Sequence, residues 1–349
     1  MRVLKFGGSC LQDGVGLPRV VERVVAAGEP TVVVLSALKG VTDRLRSPTS
    51  ADLEPLRATH ARLLVPLSGA PRAQAEAALE AASAELAELV AAPPTPARAD
   101  RLLGWGERTL TALARAHFAQ RGHPVEHLEG AAAGLVTDAT HGHARLLPEA
   151  RERARAALAD VGTVLVPGFV GQTPSGVWTT LGRGGSDTTA AFLGVALDAP
   201  VILYKDTALL SADPAWVPEA RVLSAVDPRA ALALAEAGLP AIAADALRLA
   251  DGRPLEVRAF HGQDRSVIAP DAPPVPAVAW VRTSAQEARV SLLGVAPAAT
   301  SRAQGCLEAA GVSAHAVPGA ANAWVVPLDA CPGAVRALHR AFVGHAASA

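Results

Sequence analysis

Half of the 349 residues are hydrophobic, 19% are charged and the net charge is −1. That balance excludes a disordered chain, and it offers no basic field to nucleic acid or anionic lipid. No apolar run reaches the ~20 residues of a membrane-spanning helix, so neither nucleic acid nor membrane is expected as a partner. The N-terminus enters a strand directly instead of a signal peptide. Cys10, Cys306 and Cys331 are scattered and form no CxxC, which fits a reducing, cytoplasmic setting without a disulfide framework or zinc site.

Arg2–Phe6 reads as a short apolar strand interrupted by Lys5, followed by Gly7-Gly8-Ser9 and a helix over Leu17–Ala27. Strand, glycine turn and helix together make a phosphate-binding arrangement, although no GxxxxGK[ST] loop is present. A lysine at the end of a buried strand is costly unless paired, so Lys5 is expected to face a ligand or an acidic partner. Thr31–Leu35 is an unbroken β-branched run of the kind buried in parallel sheets. It ends in Ser36-Ala37-Leu38-Lys39-Gly40-Val41-Thr42-Asp43, where Ser36 and Thr42 are either hydroxyl ligands or helix caps. Ala51–Ala92 is helical in composition, and Pro93-Pro94-Thr95-Pro96 punctuates it before a helix over Arg98–Gln120 that carries Gly104-Trp105-Gly106-Glu107. The flanking glycines allow Glu107 close approach to the strand ends.

His123–His127 reads as an edge strand, Leu135–Asp138 with His141–Leu146 as a hairpin, and Glu149–Asp160 as a helix. His141 and His143 lack further metal ligands nearby and are expected in a surface loop. The strand Thr163–Val170 then enters GFVGQTPSGVWTTLGRGGSDTTAAFL, Gly168–Leu193. There Gly182-Arg183-Gly184-Gly185-Ser186-Asp187 opens an apolar helix, with Ser186 or Asp187 suited to its N-cap. The glycines and the helix N-terminus suit a phosphate or carboxylate, Arg183 adds a bidentate fork, and Asp187 can orient a reacting group. A tight structural turn is the alternative. Val201–Tyr204 is a further buried strand ending in Lys205-Asp206. Leu223–Ala237 and Ile242–Ala250 are helical, and Leu255–Phe260 is a strand. Pro270–Pro276 reads as a linker. Beyond it come strands Ala277–Arg282 and Arg289–Val295, helix Ala299–Ala310, strands Val312–Val317 and Ala323–Pro327, and helix Cys331–Phe342.

Five strings in this order resemble the aspartokinases of the amino-acid kinase superfamily: KFGGS at Lys5–Ser9, SALKGVTDRL at Ser36–Leu45, WGERTLTAL at Trp105–Leu113, GFVG…TTLGRGGSDTTAA at Gly168–Ala191, and YKDTALLSADPAWVPEARVL at Tyr204–Leu223. The resemblance implies an α/β fold: an open, mainly parallel amino-acid-kinase sheet with helices on both faces, plus a small α+β ACT-like domain. It places the kinase domain at residues 1–269, the linker at 270–276 and a single ACT-like regulatory or dimerisation domain at 277–345. It implies transfer of a phosphoryl group from ATP, with Mg²⁺, to the β-carboxylate of L-aspartate by a homodimer. Carried over residue by residue, Lys5 bridges the transferring phosphate and Asp187 organises that lysine. Gly7, Gly8 and Ser9 cradle the phosphates, with Lys205 and Asp206 also on the nucleotide side. Ser36, Thr42, Glu107, Arg183 and Ser186 hold aspartate. The departures lie in the nucleotide half. Lys205 stands where the family has threonine, Leu210 where it has tyrosine, Ala215 where it has arginine, and Pro240 where it has a lysine. The alternatives are a non-catalytic amino-acid sensor or partner subunit of the same fold, and a kinase for an aspartate analogue.

Overall fold

Strand β1 (Arg2–Phe6) is the central strand of the first part of the chain, because Val3, Leu4 and Phe6 are buried and both its edges are paired. The computed structural model describes residues 1–14, 16–239 and 242–344. The residues divide into two units, Met1–Asp206 and residues 207 onward. Pro240, which marks the most drastic of the departures above, lies outside the described residues.

In the first unit, β1 pairs in parallel with β2 (Thr31–Leu35), which pairs with β4 (Val164–Pro167), which pairs with the two-residue β3 (Glu126–His127). On its other side β1 pairs with β7 (Val201–Lys205). All these pairings are parallel, so Phe6, Leu35, Pro167 and Lys205 finish at one edge of the sheet. The ladder continues slightly past the strands: the Gly7 amide donates to the Tyr204 carbonyl at 3.0 Å and the Gly168 amide to the Leu35 carbonyl at 2.9 Å. β5 (Val170–Gln172) and β6 (Trp178–Thr180) form a separate hairpin. The helices are α1 (Gly16–Ala26), α2 (Val41–Arg44), α3 (Leu53–Ala61), α4 (Gly69–Ala91), α5 (Pro96–Gln120), α6 (Ala150–Leu158) and α7 (Gly185–Leu197). α7 lies on β1, β2 and β7, whereas α5 lies on β2, β3 and β4.

Several expected elements differ. The single strand expected over Thr163–Val170 is two strands, because Phe169 takes a left-handed φ of 72° and turns the chain. The helical stretch 51–92 breaks after Ala61, and α4 restarts at Gly69, which has φ 57°. The hairpin expected at 135–146 reduces to a loop with one bridge, Thr137 to Leu146. The edge strand at 123–127 keeps only Glu126 and His127. The N-cap of α7 is Gly184, at φ 76°, instead of Ser186 or Asp187. This puts both residues inside the first turn, where an acidic side chain is favoured by the helix dipole.

In the second unit, β8 (Ala225–Val226) precedes α8 (Pro228–Glu236), whose N-cap Asp227 accepts from the Arg229 and Ala230 amides. The sequence pattern predicts a helix from Leu223, whereas that residue lies ahead of β8 and the helix starts at Pro228. α9 (Ala244–Ala250) leads to β9 (Leu255–Ala259), which pairs antiparallel with β10 (Arg265–Ile268), and β10 pairs in parallel with β8. Neither β8 nor β10 is legible in the sequence: β8 has only two residues, and β10 opens on the polar Arg265 and Ser266. The C-terminal residues form an antiparallel sheet of β11 (Ala277–Arg282), β12 (Glu287–Leu293), β14 (Ala323–Pro327) and the two-residue β13 (His315–Ala316), with α10 (Thr300–Ala309) and α11 (Cys331–Phe342). Their core contains Val278, Val290, Leu307, Trp324 and Leu338. It also contains Ala212 and Val217 from the preceding segment. That segment is fastened to β11 by the Val278 amide donating to the Ser211 carbonyl at 2.8 Å, and by Trp216 stacking on Trp280 at 4.1 Å.

The parallel sheet of the first unit rests on side chains such as Leu165, at 0% exposure and paired opposite Val33. Leu165→Ala is expected to cost about 2–5 kcal/mol through lost transfer energy and a residual cavity. Urea denaturation followed by circular dichroism measures it, and a loss under ~1 kcal/mol would show that β4 is not part of the core.

Candidate active site

Ligand sites in open parallel sheets form outside the carboxyl ends of the strands. Here the loops after β1, β2, β4 and β7 enclose a cleft of about 710 Å³ together with the N-terminal turn of α7 and one face of α5. Every residue lining it belongs to the first unit.

At its floor, two lysines meet one aspartate. Lys5 Nζ lies 2.8 Å from Asp187 Oδ1, and Lys205 Nζ lies 2.6 Å from Asp187 Oδ2. Lys5 and Asp187 are buried, and the Lys205 side chain is 19% exposed. Burial by itself would raise the Asp187 pKa. The Lys205 and Lys5 ammonium groups overcome it and hold the carboxyl far below the usual carboxylate range. The opposite holds at Lys205, where burial and repulsion from Lys5 outweigh the attraction of Asp187 and lower its pKa. Two ammonium groups against one carboxylate leave one positive charge over in a largely dry pocket. Such a charge is costly until an anion arrives.

Glu107 enters from α5. Helix interiors disfavour glycine by about 1 kcal/mol relative to alanine, yet α5 carries Gly104 and Gly106 there. A Cβ on Gly104 would lie 2.4 Å from Val170 Cγ1, and one on Gly106 would lie 2.8 Å from both Ala37 Cβ and Val41 Cγ1. The glycines therefore let the helix press against the loops, and Glu107 reaches the cleft while only 4% exposed. Burial pushes its carboxyl up to about 7, against the opposing pull of the Ala37 amide and of Lys5. Its Oε2 has no hydrogen-bond partner among the described residues. A buried carboxyl with an open oxygen can receive an ammonium group.

Ser9, Ser36, Thr42, Arg183, Ser186 and Asp206 all line the same cleft, as does Gly8. Gly7 does not, and its amide is committed to the Tyr204 carbonyl at 3.0 Å, so it extends the sheet rather than presenting a donor to the cleft. Arg183 is exposed into the opening, whereas Ser186 is buried in the first turn of α7. Cys10 is buried beside this loop, its thiol pushed up to about 11 chiefly by burial, which makes it a packing residue.

Three features of the lining differ from, or go beyond, what the sequence leads one to expect of the site. Phe169 takes its left-handed conformation at the cleft wall, with its amide donating to Thr189 Oγ1 at 3.1 Å. No local pattern announces an aromatic residue in that conformation. Lys39 brings further positive charge from the loop after β2, and Arg46, just past α2, lines the cleft together with Asp43, to which it is paired at 3.3 Å. Gly142 and His143 also line the cleft, so the loop expected at the bare surface reaches the site.

A mainly parallel sheet whose carboxyl edge gathers two lysines on a shared aspartate, beside a helix N-terminus, defines an α/β protein with a charged cleft at the strand ends. The model of the amino acid kinase family matches residues 1–259, and the chain belongs to that family. It is 35% identical over 242 residues to an aspartokinase of Mycolicibacterium smegmatis, covering 68% of this chain and 48% of that one. It is 33% identical over 309 residues to an aspartokinase of Corynebacterium glutamicum, covering 84% of this chain and 64% of that one. The chain thus spans about half to two thirds of the length of these relatives. Its fold is similar to that of E. coli aspartokinase III, with a TM-score of 0.72 and 24% identity over 99% of this chain and 83% of that one. No helix among the described residues is long and apolar enough to cross a membrane.

The raised Glu107 pKa has a definite sign. Between the ordinary 4.5 and about 7, the native state binds more protons than the unfolded state, so stability declines as pH rises through that window. Glu107→Gln removes the decline. Its melting temperature relative to the parent is expected to move in its favour by a few degrees, at ~2–4 °C per kcal/mol, between pH 5 and pH 8. Thermal melts at the two pH values measure this, and parallel behaviour would mean that Glu107 titrates normally.

Proposed function

We propose that the protein is an aspartokinase, transferring the γ-phosphoryl group of MgATP to the β-carboxylate of L-aspartate. The observation that carries this reading is the buried pair of lysines on Asp187, with its one surplus positive charge, at the carboxyl edge of an amino acid kinase sheet. The likeness to named aspartokinases supports it.

The reaction makes modest demands, and the residues meet them. A β-carboxylate is already ionised at neutral pH, so it attacks the γ-phosphorus without a general base. A new P–O bond forms to the carboxylate oxygen, the bond to the β-phosphate bridging oxygen breaks, and ADP departs with that electron pair. No proton moves. What is needed is alignment and charge neutralisation. Lys5 and Lys205 supply the second from either side of Asp187, which fixes both ammonium groups without neutralising both. Lys205 thereby gives the second cation of the site from the end of β7, in a sequence that has proline where the family pattern implied by the resemblance has a lysine. Gly8, Ser9 and the first turn of α7 face the phosphates. The nucleotide brings Mg²⁺ with it. Magnesium is usually held by substrate phosphates, water and one or two carboxylates, and Asp206 is a carboxylate at this end of the cleft.

Arg183 and Glu107 read the two ends of the acceptor. The guanidinium takes the carboxylate that does not react, and Glu107 takes the amino group, with Ser36, Thr42 and Ser186 completing the pocket. An arriving ammonium favours the ionised form of Glu107, so aspartate binding near pH 7 releases a proton. We place the kinase domain at 1–269 and a single ACT-like domain at 277–345, in a cytoplasmic homodimer joined at least partly through the latter. With one ACT-like copy, feedback by lysine or threonine is weak, because an effector shifts an equilibrium only through differential contacts.

A coupled assay with aspartate, ATP and Mg²⁺ tests the activity. Lys5→Ala and Lys205→Met are each expected to lower kcat about 10²–10³-fold, as does loss of a group that stabilises transition-state charge. Wild-type protein without aspartate-dependent turnover at millimolar ATP would sink the assignment, and a fully active Lys205→Met would remove that lysine from the mechanism. Light scattering is expected to give a dimer, and lysine or threonine at 1 mM is expected to leave turnover unchanged. A monomer, or sub-millimolar inhibition, would overturn the respective half of that expectation.

A further inference from the structure

The loop at 138–144 is fixed more firmly than a surface loop requires. Asp100, on α5 and 2% exposed, accepts hydrogen bonds from three groups outside its own helix. His141 Nδ1 lies 2.6 Å from Oδ2, and the Gly142 amide donates to Oδ1 at 3.0 Å and to Oδ2 at 3.3 Å. The Thr180 hydroxyl donates to Oδ1 at 2.5 Å. One buried carboxylate therefore ties α5, this loop and β6 together. The Ala144 amide adds a bond to the Thr180 carbonyl at 2.9 Å, so the residues on both sides of His143 are held.

His143 is the residue left projecting. It is exposed, and it lines the cleft beside Arg183. Its imidazole lies against Gly182, where a Cβ would stand 2.4 Å from Nδ1 and 2.9 Å from Cε1. Gly182 also has a left-handed φ of 79°, so the approach and the turn both require glycine at the position preceding Arg183. The ring thus abuts the loop that carries the guanidinium.

We propose that His143 is a recognition residue for the non-reacting carboxylate of the acceptor, acting alongside Arg183, and that Asp100 is the positioning residue that holds it there. This rests on the reading of the cleft as an amino-acid kinase site. An imidazole N–H and a guanidinium at the same end of the cleft make a two-donor seat for a carboxylate. Asp100 touches no substrate. It acts by fixing the backbone on the N-terminal side of His143.

The test uses His143→Ala, His143→Gln and Asp100→Asn in the full chain, with steady-state kinetics and calorimetric titration of L-aspartate. His143→Ala is expected to raise the aspartate KM and Kd about 10-fold or more, the scale of a hydrogen bond to a charged group. The ATP KM should stay within about 2-fold, and His143→Gln, which retains a donor, should recover part of the loss. Asp100→Asn is expected to produce a similar aspartate defect that does not add to that of His143→Ala in the double variant, as befits two residues acting as one unit. Where Asp100→Asn does not fold, Thr180→Val, which removes one of the three donors, takes its place in the cycle. An aspartate KM and Kd unchanged in His143→Ala, a defect in ATP instead, or fully additive effects with Asp100→Asn would overturn the inference. Wild-type protein that binds aspartate but does not phosphorylate it would sink the kinase reading alone, since Kd still reports on His143. Wild-type protein that does neither would sink both.

Discussion

One buried carboxylate sets the geometry of the cleft. Asp187 stands in the first turn of α7 with Lys5 on one oxygen and Lys205 on the other. Lys5 lies one residue before the end of β1 and Lys205 ends the adjacent parallel β7, so the aspartate joins the central strand, its neighbour and the helix that covers both. Without it, two ammonium groups would face each other in a dry pocket, at a cost that burial would magnify. With it, they are held apart, and the three groups together carry one net positive charge. Stability and the proposed function therefore draw on the same contact.

The opposite wall depends on α5. This helix contributes Glu107 through the close approach that Gly104 and Gly106 permit, and it contributes Asp100 about two turns earlier. The two acids have unlike settings. Asp100 is saturated with hydrogen bonds from other elements and serves as a structural anchor. Glu107 keeps an oxygen unpartnered, and burial raises its pKa toward neutrality. Open valence and a pKa near 7 mark a group available to a ligand, whereas Asp100 shows how an equally buried carboxylate looks when its partners are already present.

The second unit shows a different use of polar burial. Ser211 accepts the Arg221 amide with its hydroxyl while pairing with His339 Nε2 at 2.9 Å, and its carbonyl receives the Val278 amide. Burial lowers the His339 pKa, against the opposing pull of Glu219. Ala212 and Val217 join the core of the C-terminal sheet. The segment that holds the departures at Leu210 and Ala215 is thus built into that sheet's packing.

The sequence by itself determined the parallel-sheet class, the order of the main elements and most residues of the cleft. These signals are local: β-branched runs for buried strands, glycine turns after them, and charged residues at strand ends, where burial without a partner is too costly. It also marked Glu107, because glycines inside a helix signal close approach. Only the tertiary structure decided which groups meet. Asp187 chooses Lys205 across 18 residues of chain, and Asp100 gathers partners 41, 42 and 80 residues away. It likewise decided that Gly7 gives its amide to Tyr204, that α7 begins at Gly185 rather than beyond it, and that Phe169 turns the chain at the cleft wall. These are long-range pairings or conformations imposed by packing, and no spacing along the chain encodes them. His143 marks the boundary: a histidine in a polar loop looks like surface until a buried carboxylate far along the chain fixes where that loop must lie.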